Sequence, residues 1–394
     1  MKNKYIDLIR QLLSLPVFYT KIRDNNLWVF GEWFGERCCD NCLYFANYVA
    51  EHHPEIKVVW ISLKGTDLRL LNKSIETVVM DTQLAIDYLK RAGYVFFVQS
   101  SRDLTHLNKI FYSGSKVINL WHGAPWKKIG IDVVKSNKLK KLFEKLRLKL
   151  FGGQYYLAYS DVFERIFSRA YALDKDRIIK AGYPRNQVFY DEKLAAESKK
   201  RLLKIIGSRC HSSINSDTRV ISYMPTFRNI KGSFSFIAAQ KRDEFESLLE
   251  KKNAIIVQKG HFAEKNVNYK HDLEYGRVFT IHDVSAQELL ASSDILISDY
   301  SSCIFDYLIS GNPIMYYIYD YDEYNQNDRG LYFDKNDVLA GAEACSEDEL
   351  LMALSEYLDD KDKDSELREI RKNQYLNYES SDSCNQLFCK LRLL

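Results

Sequence analysis

A histidine stands at position 122, between Trp121 and Gly123-Ala124-Pro125, directly after the β-type run Lys116–Leu120. A strand-end imidazole lies where open α/β sheets place their ligands, beyond the carboxyl ends of the strands. It is also the side chain best suited to trade a proton near neutral pH. His122 is therefore the first candidate for a general base, and a purely structural strand-end histidine is the competing reading. A second histidine, His261, closes the segment Lys259-Gly260-His261 in the same way, after another apolar run. Two such histidines facing one cleft carry more weight than either alone.

Other residue types suit anion binding. Tyr223-Met-Pro-Thr-Phe-Arg228 places Thr226 and Arg228 after a strand, a hydroxyl and a guanidinium that can hold phosphate. Asp294-Ile-Leu-Ile-Ser-Asp-Tyr-Ser-Ser302 is a strand opening into a helix. Ser301 or Ser302 is expected to cap a helix over 303–310, whose N-terminus is an anion site. Gly311-Asn312-Pro313 ends that helix. Arg329, in Asp328-Arg-Gly330, belongs to a later loop. The bland readings are a polar turn, an ordinary cap and a surface arginine. GxGxxG, GxxxxGK[ST] and HExxH are all missing from the sequence, so neither a dinucleotide fold nor a P-loop kinase is supported. Asp320-Tyr-Asp322 is a weak metal-binding candidate, and the expectation is no metal and no cofactor. Eight cysteines are scattered along the chain. Cys39-x-x-Cys42 lacks a partner pair, so reduced thiols are expected.

These residues need strands to position them. One βα series has strands near 27–31, 56–61, 77–80, 94–99, 116–120, 155–159 and 177–181, with helical patterns at 83–92 and 161–171. Lys193–Thr218 reads as a helix followed by a polar linker. A second series has strands near 219–224, 254–259, 277–281, 295–298 and 313–318. Helical patterns lie at 241–252, 285–293 and 303–310, and further helices near 347–359, 363–377 and 383–394. Runs such as Tyr94-Val-Phe-Phe-Val98 are apolar without alternation, as strands covered on both faces are. The expectation is an α/β protein with two Rossmann-like, doubly wound domains, 1–192 and 193–394, facing a cleft.

Length and composition fit two full cores: 394 residues, 46% hydrophobic. A net charge of +3 is too small to argue for nucleic acid. No run of 18 apolar residues exists, and Met1–Tyr19 is interrupted by Lys4, Asp7, Arg10 and Gln11, unlike a secretory signal. Lys135–Lys149 holds seven basic residues and one acidic, with Leu139, Leu142, Phe143, Leu146 and Leu150 at helical spacing. Such a basic amphipathic helix over 135–150 suits an anionic membrane surface. The alternative is a solvated helix with its apolar face in the core.

Taken in order, WHG at 121–123, GYPRN at 182–186, MPTFR at 224–228, SDYSS at 298–302 with Phe305-Asp306, and DRGLYFD at 328–334 form a pattern. With Phe30–Asn41, they resemble the CDP-glycerol glycerophosphotransferases of teichoic acid and capsule synthesis. The resemblance spans roughly residues 28–335. It implies a GT-B-like fold and a peripheral enzyme on the cytoplasmic face of the membrane. Such an enzyme moves a polyol phosphate from a CDP-polyol donor to a hydroxyl of a lipid-linked glycan or polyol-phosphate acceptor, releasing CMP. It implies catalytic roles for His122 and His261, although Phe262 stands where the family usually has proline. It implies phosphate contacts from Ser301, Ser302 and Arg329, and His282 is a further candidate. The length is close to a bare catalytic domain, a form that includes single-addition primases and some polymerases. A GT-B glycosyltransferase using a nucleotide sugar is the alternative function, and a non-catalytic scaffold of the same fold is a third.

Overall fold

The computed structural model describes residues 22–133, 138–151, 153–209, 214–226, 237–259, 275–282, 284–321, 324 and 330–394. By contact the chain forms two compact units: residues 1–122, 129–187 and 377–394 in one, 123–128 and 188–376 in the other. The sequence reading carried the second domain to residue 394. Residues 377–394 instead pack with the first unit.

The first unit is built on a seven-stranded parallel sheet. Its strands are β1 (Asp24–Phe30), β2 (Lys57–Ser62), β3 (Glu76–Val79), β4 (Ala92–Phe97), β5 (Lys116–Asn119), β6 (Gln154–Ala158) and β7 (Ile178–Lys180). They lie in the order β3-β2-β1-β4-β5-β6-β7. Helices α1 (Asn41–His52), α2 (Gln83–Arg91), α3 (Lys138–Phe151) and α4 (Asp161–Tyr171) connect them. The central strands are apolar on both faces because both faces are covered. On one side Val29, Val59, Ile61, Val95 and Phe97 meet Ala85, Tyr88 and Leu89 of α2. On the other, Trp28 lies against Phe45 of α1 and Phe96, and Phe30 stacks on Phe96 at 4.3 Å.

The second unit has a six-stranded parallel sheet. Its strands are β8 (Arg219–Met224), β9 (Ala254–Gln258), β10 (Val278–Thr280), β11 (Ile295–Ser298), β12 (Ile314–Tyr317) and β13 (Ala342–Ala344). The order is β10-β9-β8-β11-β12-β13. Its helices are α5 (Glu192–Gly207), α6 (Arg242–Lys251), α7 (Ala286–Ala291), α8 (Cys303–Tyr307), α9 (Lys335–Val338), α10 (Glu347–Leu358) and α11 (Ser365–Tyr375). Phe245 and Leu249 of α6, with Leu350 and Leu354 of α10, close over Ile221, Ile256, Ile297 and Met315. The chain then returns to the first unit, where α12 (Ser383–Arg392) places Phe388 against Trp28. The C-terminal stretch also reaches the GYPRN segment. One Glu379 oxygen accepts from the Tyr183 amide at 2.8 Å and from Asn186 at 2.7 Å.

Both sheets are doubly wound, and each has a point where the strand order reverses. Ligands of such sheets bind beyond the carboxyl ends of the strands at that point. In the first unit this is β1 beside β4; in the second it is β8 beside β11.

Candidate active site

His122 lies beyond the end of β5, and its ring reaches the neighbouring β4 loop. Nδ1 lies 3.0 Å from the Val98 carbonyl. A carbonyl can only accept, so the Nδ1 proton points there and the neutral ring carries its lone pair on Nε2. Trp121 stacks on the ring at 4.7 Å, and Trp33, from the loop after β1, meets it edge-on at 5.8 Å. Burial holds the imidazole below its ordinary value of 6.5, favouring the neutral, basic form.

Three loops converge to hold this ring. The first contains Trp33 and Phe34, with φ of 47° and 58°, and the second contains Trp121, at 58°. Non-glycine residues in the left-handed region cost of order 1–3 kcal/mol each and cluster at functional sites. The third loop, after β4, is fixed by buried Asp103. Its carboxylate accepts from the amides of Phe34 at 2.9 Å, Val98 at 3.0 Å and Gln99 at 2.7 Å. The carbonyl that orients His122 is thus itself held in place.

Beneath the histidine loop lies a pair that the sequence reading gave no role. Arg185, of the GYPRN segment, donates from Nη1 to Asp40 Oδ1 and to the His122 carbonyl, both at 2.9 Å. Asn41 donates to the carbonyls of Leu120 at 3.1 Å and Trp121 at 3.0 Å, and accepts from the Arg185 amide at 3.1 Å. Asp40 caps α1, and its Oδ2 accepts from Trp33 Nε1 at 3.0 Å. Glu32 accepts from the amides of Cys39 and Asp40. Burial, and then nearby Asp40, push its carboxyl well above the usual range. Cys39 and Cys42 are free thiols. Cys42 is buried, and that burial pushes its thiol up.

In the second unit the structure brings Thr226, Ser301 and Ser302 to one sheet end. The Thr226 amide donates to both Asp299 oxygens, at 2.8 and 3.0 Å, and Ser298 Oγ donates to the Met224 carbonyl at 2.7 Å. These bonds tie the loop after β8 to the loop after β11, at the reversal of strand order. Ser302 does occupy the N-cap of α8, but the expected capping bond is not made. Its backbone is already helical, φ −64° and ψ −18°, and an N-cap hydroxyl reaches the first-turn amides only from an extended residue. The expected helix over 303–310 is α8 followed by a 3-10 turn at Leu308–Ser310, closed by Gly311 at φ 73°. His282 is exposed after the edge strand β10, with β9 between that strand and β8. Asp320 accepts from the Tyr300 hydroxyl at 3.1 Å. Arg228, His261, Asp322 and Arg329 lie outside the described residues. Among the described residues no three His, Cys, Asp or Glu side chains gather to hold a metal ion.

Residues 14–391 match the CDP-glycerol:poly(glycerophosphate) glycerophosphotransferase family. The chain belongs to this family. It is 28% identical to the teichoic acid poly(glycerol phosphate) polymerase of Staphylococcus epidermidis, over 79% of this chain and 43% of that protein. It is 23% identical to the teichoic acid glycerol-phosphate transferase of Staphylococcus aureus, over 96% and 97% of the two chains. The chain thus spans less than half of the first relative and nearly all of the second. The solved wall teichoic acid polymerase TagF shares its fold, with a TM-score of 0.75 at 22% identity over 99% of this chain and 96% of that one. A UDP-GlcNAc 2-epimerase from Neisseria meningitidis is a more distant fold relative, with a TM-score of 0.51 at 14% identity over 93% and 99%. The α/β architecture of two Rossmann-like, GT-B-type domains and the family resemblance both stand as expected. Asp40, Asn41 and Arg185 were the missed residues. Their signals were an Asp-Asn pair opening a helix and an arginine beside the proline that follows a strand.

Proposed function

We propose that this protein transfers a polyol phosphate, glycerol phosphate foremost, from a CDP-activated donor to a hydroxyl of a membrane-linked glycan or polyol-phosphate acceptor. CMP leaves, and the product belongs to teichoic acid or capsule synthesis. Family membership and the teichoic acid relatives support this reading. So does the existence of a histidine-to-asparagine TagF variant soaked with CDPG. The observation that carries it is the geometry of His122. A neutral imidazole is locked by Val98, with Nε2 left as the accepting atom, at the ligand end of a doubly wound sheet.

The chemistry follows from what the transfer needs. An acceptor oxygen forms a bond to the donor phosphorus and must lose its proton, and His122 Nε2 takes it. The bond between that phosphorus and the CMP oxygen breaks, and the electron pair leaves with CMP. Ser301, Ser302 and Thr226 supply hydroxyls at the ligand end of the second sheet. Arg228, Arg329, His261 and His282 are the proposed cationic or hydrogen-bonding partners of the donor phosphates. The protein acts at the cytoplasmic face of the membrane, docked through the basic helix α3.

The test is nucleotide release by purified protein given CDP-glycerol, CDP-ribitol and UDP-sugars with a lipid-linked acceptor. Acceptor-dependent CMP formation is expected. UDP release from a nucleotide sugar, with none of CMP, would overturn the reading in favour of a glycosyltransferase.

A further inference from the structure

The loop that carries His122 is gripped by one buried ion pair from two directions. Arg185 and Asp40 have side chains only 8% and 5% exposed, with Nη1 and Oδ1 2.9 Å apart. A buried pair is a poor stabiliser compared with apolar packing of the same volume, so its retention calls for another role. Here each partner has a second contact, and both contacts end at the histidine. Arg185 Nη1 reaches the His122 carbonyl. Asp40 Oδ2 holds the indole of Trp33, whose ring lies edge-on against the imidazole. The first arm sets the main chain of the residue and the second sets the plane of its ring.

We propose that Asp40 and Arg185 are a positioning pair for His122, fixing its main chain through Arg185 and its ring through Asp40 and Trp33. The proposal rests on the reading of His122 as the base. The pair also acts on the ring by charge. Asp40 stabilises the imidazolium and Arg185 destabilises it, so the two oppose each other. The loops after β1 and β4 also carry Glu36, Arg37 and Arg102, and two buried acids, Glu32 and Asp103. Burial raises both carboxyls toward their neutral forms. Asp40 and Arg185 are the charges that bear most on the ring.

This arrangement makes a prediction that simple structural support does not. Asp40→Asn keeps an acceptor for Trp33 and removes the negative charge. The imidazolium loses its partner, so the titration midpoint of His122 falls. Arg185→Met removes the positive charge, so the midpoint rises. Arg185→Lys keeps the charge but cannot reproduce the two-pronged grip, so the midpoint stays while turnover drops. A misplacement of about 1 Å in such a base costs roughly 100-fold in rate. That loss is expected in kcat for all three variants, with KM for the CDP-polyol little changed.

The midpoint is read by NMR titration of the histidine ring protons in the full-length protein. The His122 signal is assigned by its loss in His122→Gln. This readout needs no turnover. A wild-type protein inactive on every CDP-alcohol would therefore count against the proposed function and leave the positioning test standing. Opposite displacements in Asp40→Asn and Arg185→Met support the pair. Displacements of the same sign, or none in folded variants, overturn it, as does a rise in donor KM with kcat intact. Should Arg185→Met fail to fold, the downward displacement in Asp40→Asn and the unmoved midpoint in Arg185→Lys decide the question.

Discussion

His122 can accept a proton only while it is neutral. Burial favours that state, so its pKa lies below the ordinary 6.5. The sign follows directly: activity is full above the folded-state value and is lost as pH falls through it. The acid limb of kcat/KM, which reports the free enzyme, should therefore lie below the ordinary histidine range. His122→Ala should lower turnover by about 10²–10⁴-fold and abolish that limb. A loss smaller than about tenfold, or an acid limb that survives the substitution, would show that another group takes the proton. The histidine was legible in the sequence because a strand visibly stops at it and Gly123-Ala-Pro125 prevents the run from continuing. Its supports were not. Arg185 and Asp40 are separated by 145 positions, and no local pattern records a contact of that range. Arg228, His261 and Arg329 were equally legible as motifs, but they lie outside the described residues and remain proposals.

At the scale of elements, the site depends on how closely the end of β1 approaches the loop after β4. Gly31 makes that approach possible. A Cβ there would lie 2.3 Å from the Asp103 carbonyl oxygen and 3.1 Å from Leu104 Cδ2. Main chain cannot yield as a flexible side chain does, so the two loops must separate. Gly31→Ala should cost about 1–3 kcal/mol, as overpacking does. It should also slow turnover, because Asp103 holds the Val98 carbonyl that orients His122. Gly153→Ala is the control, since a Cβ there meets nothing within 4 Å. Denaturant titration and turnover of both variants check this, and equal behaviour of the two would refute the close-approach argument. The strands themselves were readable from their apolar runs, and seven of them appear in the first sheet at the expected places. β13 was missed because Ala342-Glu-Ala344 has neither β-branched nor aromatic residues. It is a strand by virtue of its pairing with β12. Helix α1 was also missed, since the segment around Phe30–Asn41 drew notice for its motif and not for the Asp40 cap that starts a helix.

On the proposed function, the whole molecule must also bring its chemistry to a lipid-linked acceptor. Among the described residues no helix is long and apolar enough to cross a membrane. Helix α3 offers a different attachment. Leu142, Phe143 and Leu146 are 54%, 64% and 52% exposed. These three apolar side chains are therefore not buried in the core. Lys141, Lys145 and Lys149 are exposed on the same helix, and its one acid, Glu144, is already paired with Arg147 at 2.8 Å. An apolar stripe flanked by cations suits shallow insertion among anionic headgroups. Each Lys or Arg near such a surface contributes about 1 kcal/mol, and salt screens it within a Debye length. Replacing Lys138, Lys140, Lys141 and Lys145 by Gln should therefore release the protein from phosphatidylglycerol vesicles in co-sedimentation. Activity on a soluble acceptor analogue should be spared, because none of the four belongs to the site. Wild-type binding should weaken on neutral vesicles and with added salt. Phe143→Ser separates the two contributions: it should weaken binding at all salt concentrations alike, whereas the lysine variant should lose most of the salt dependence itself. Sedimentation of the lysine variant equal to wild type would remove α3 as the anchor and direct attention to residues 4–19.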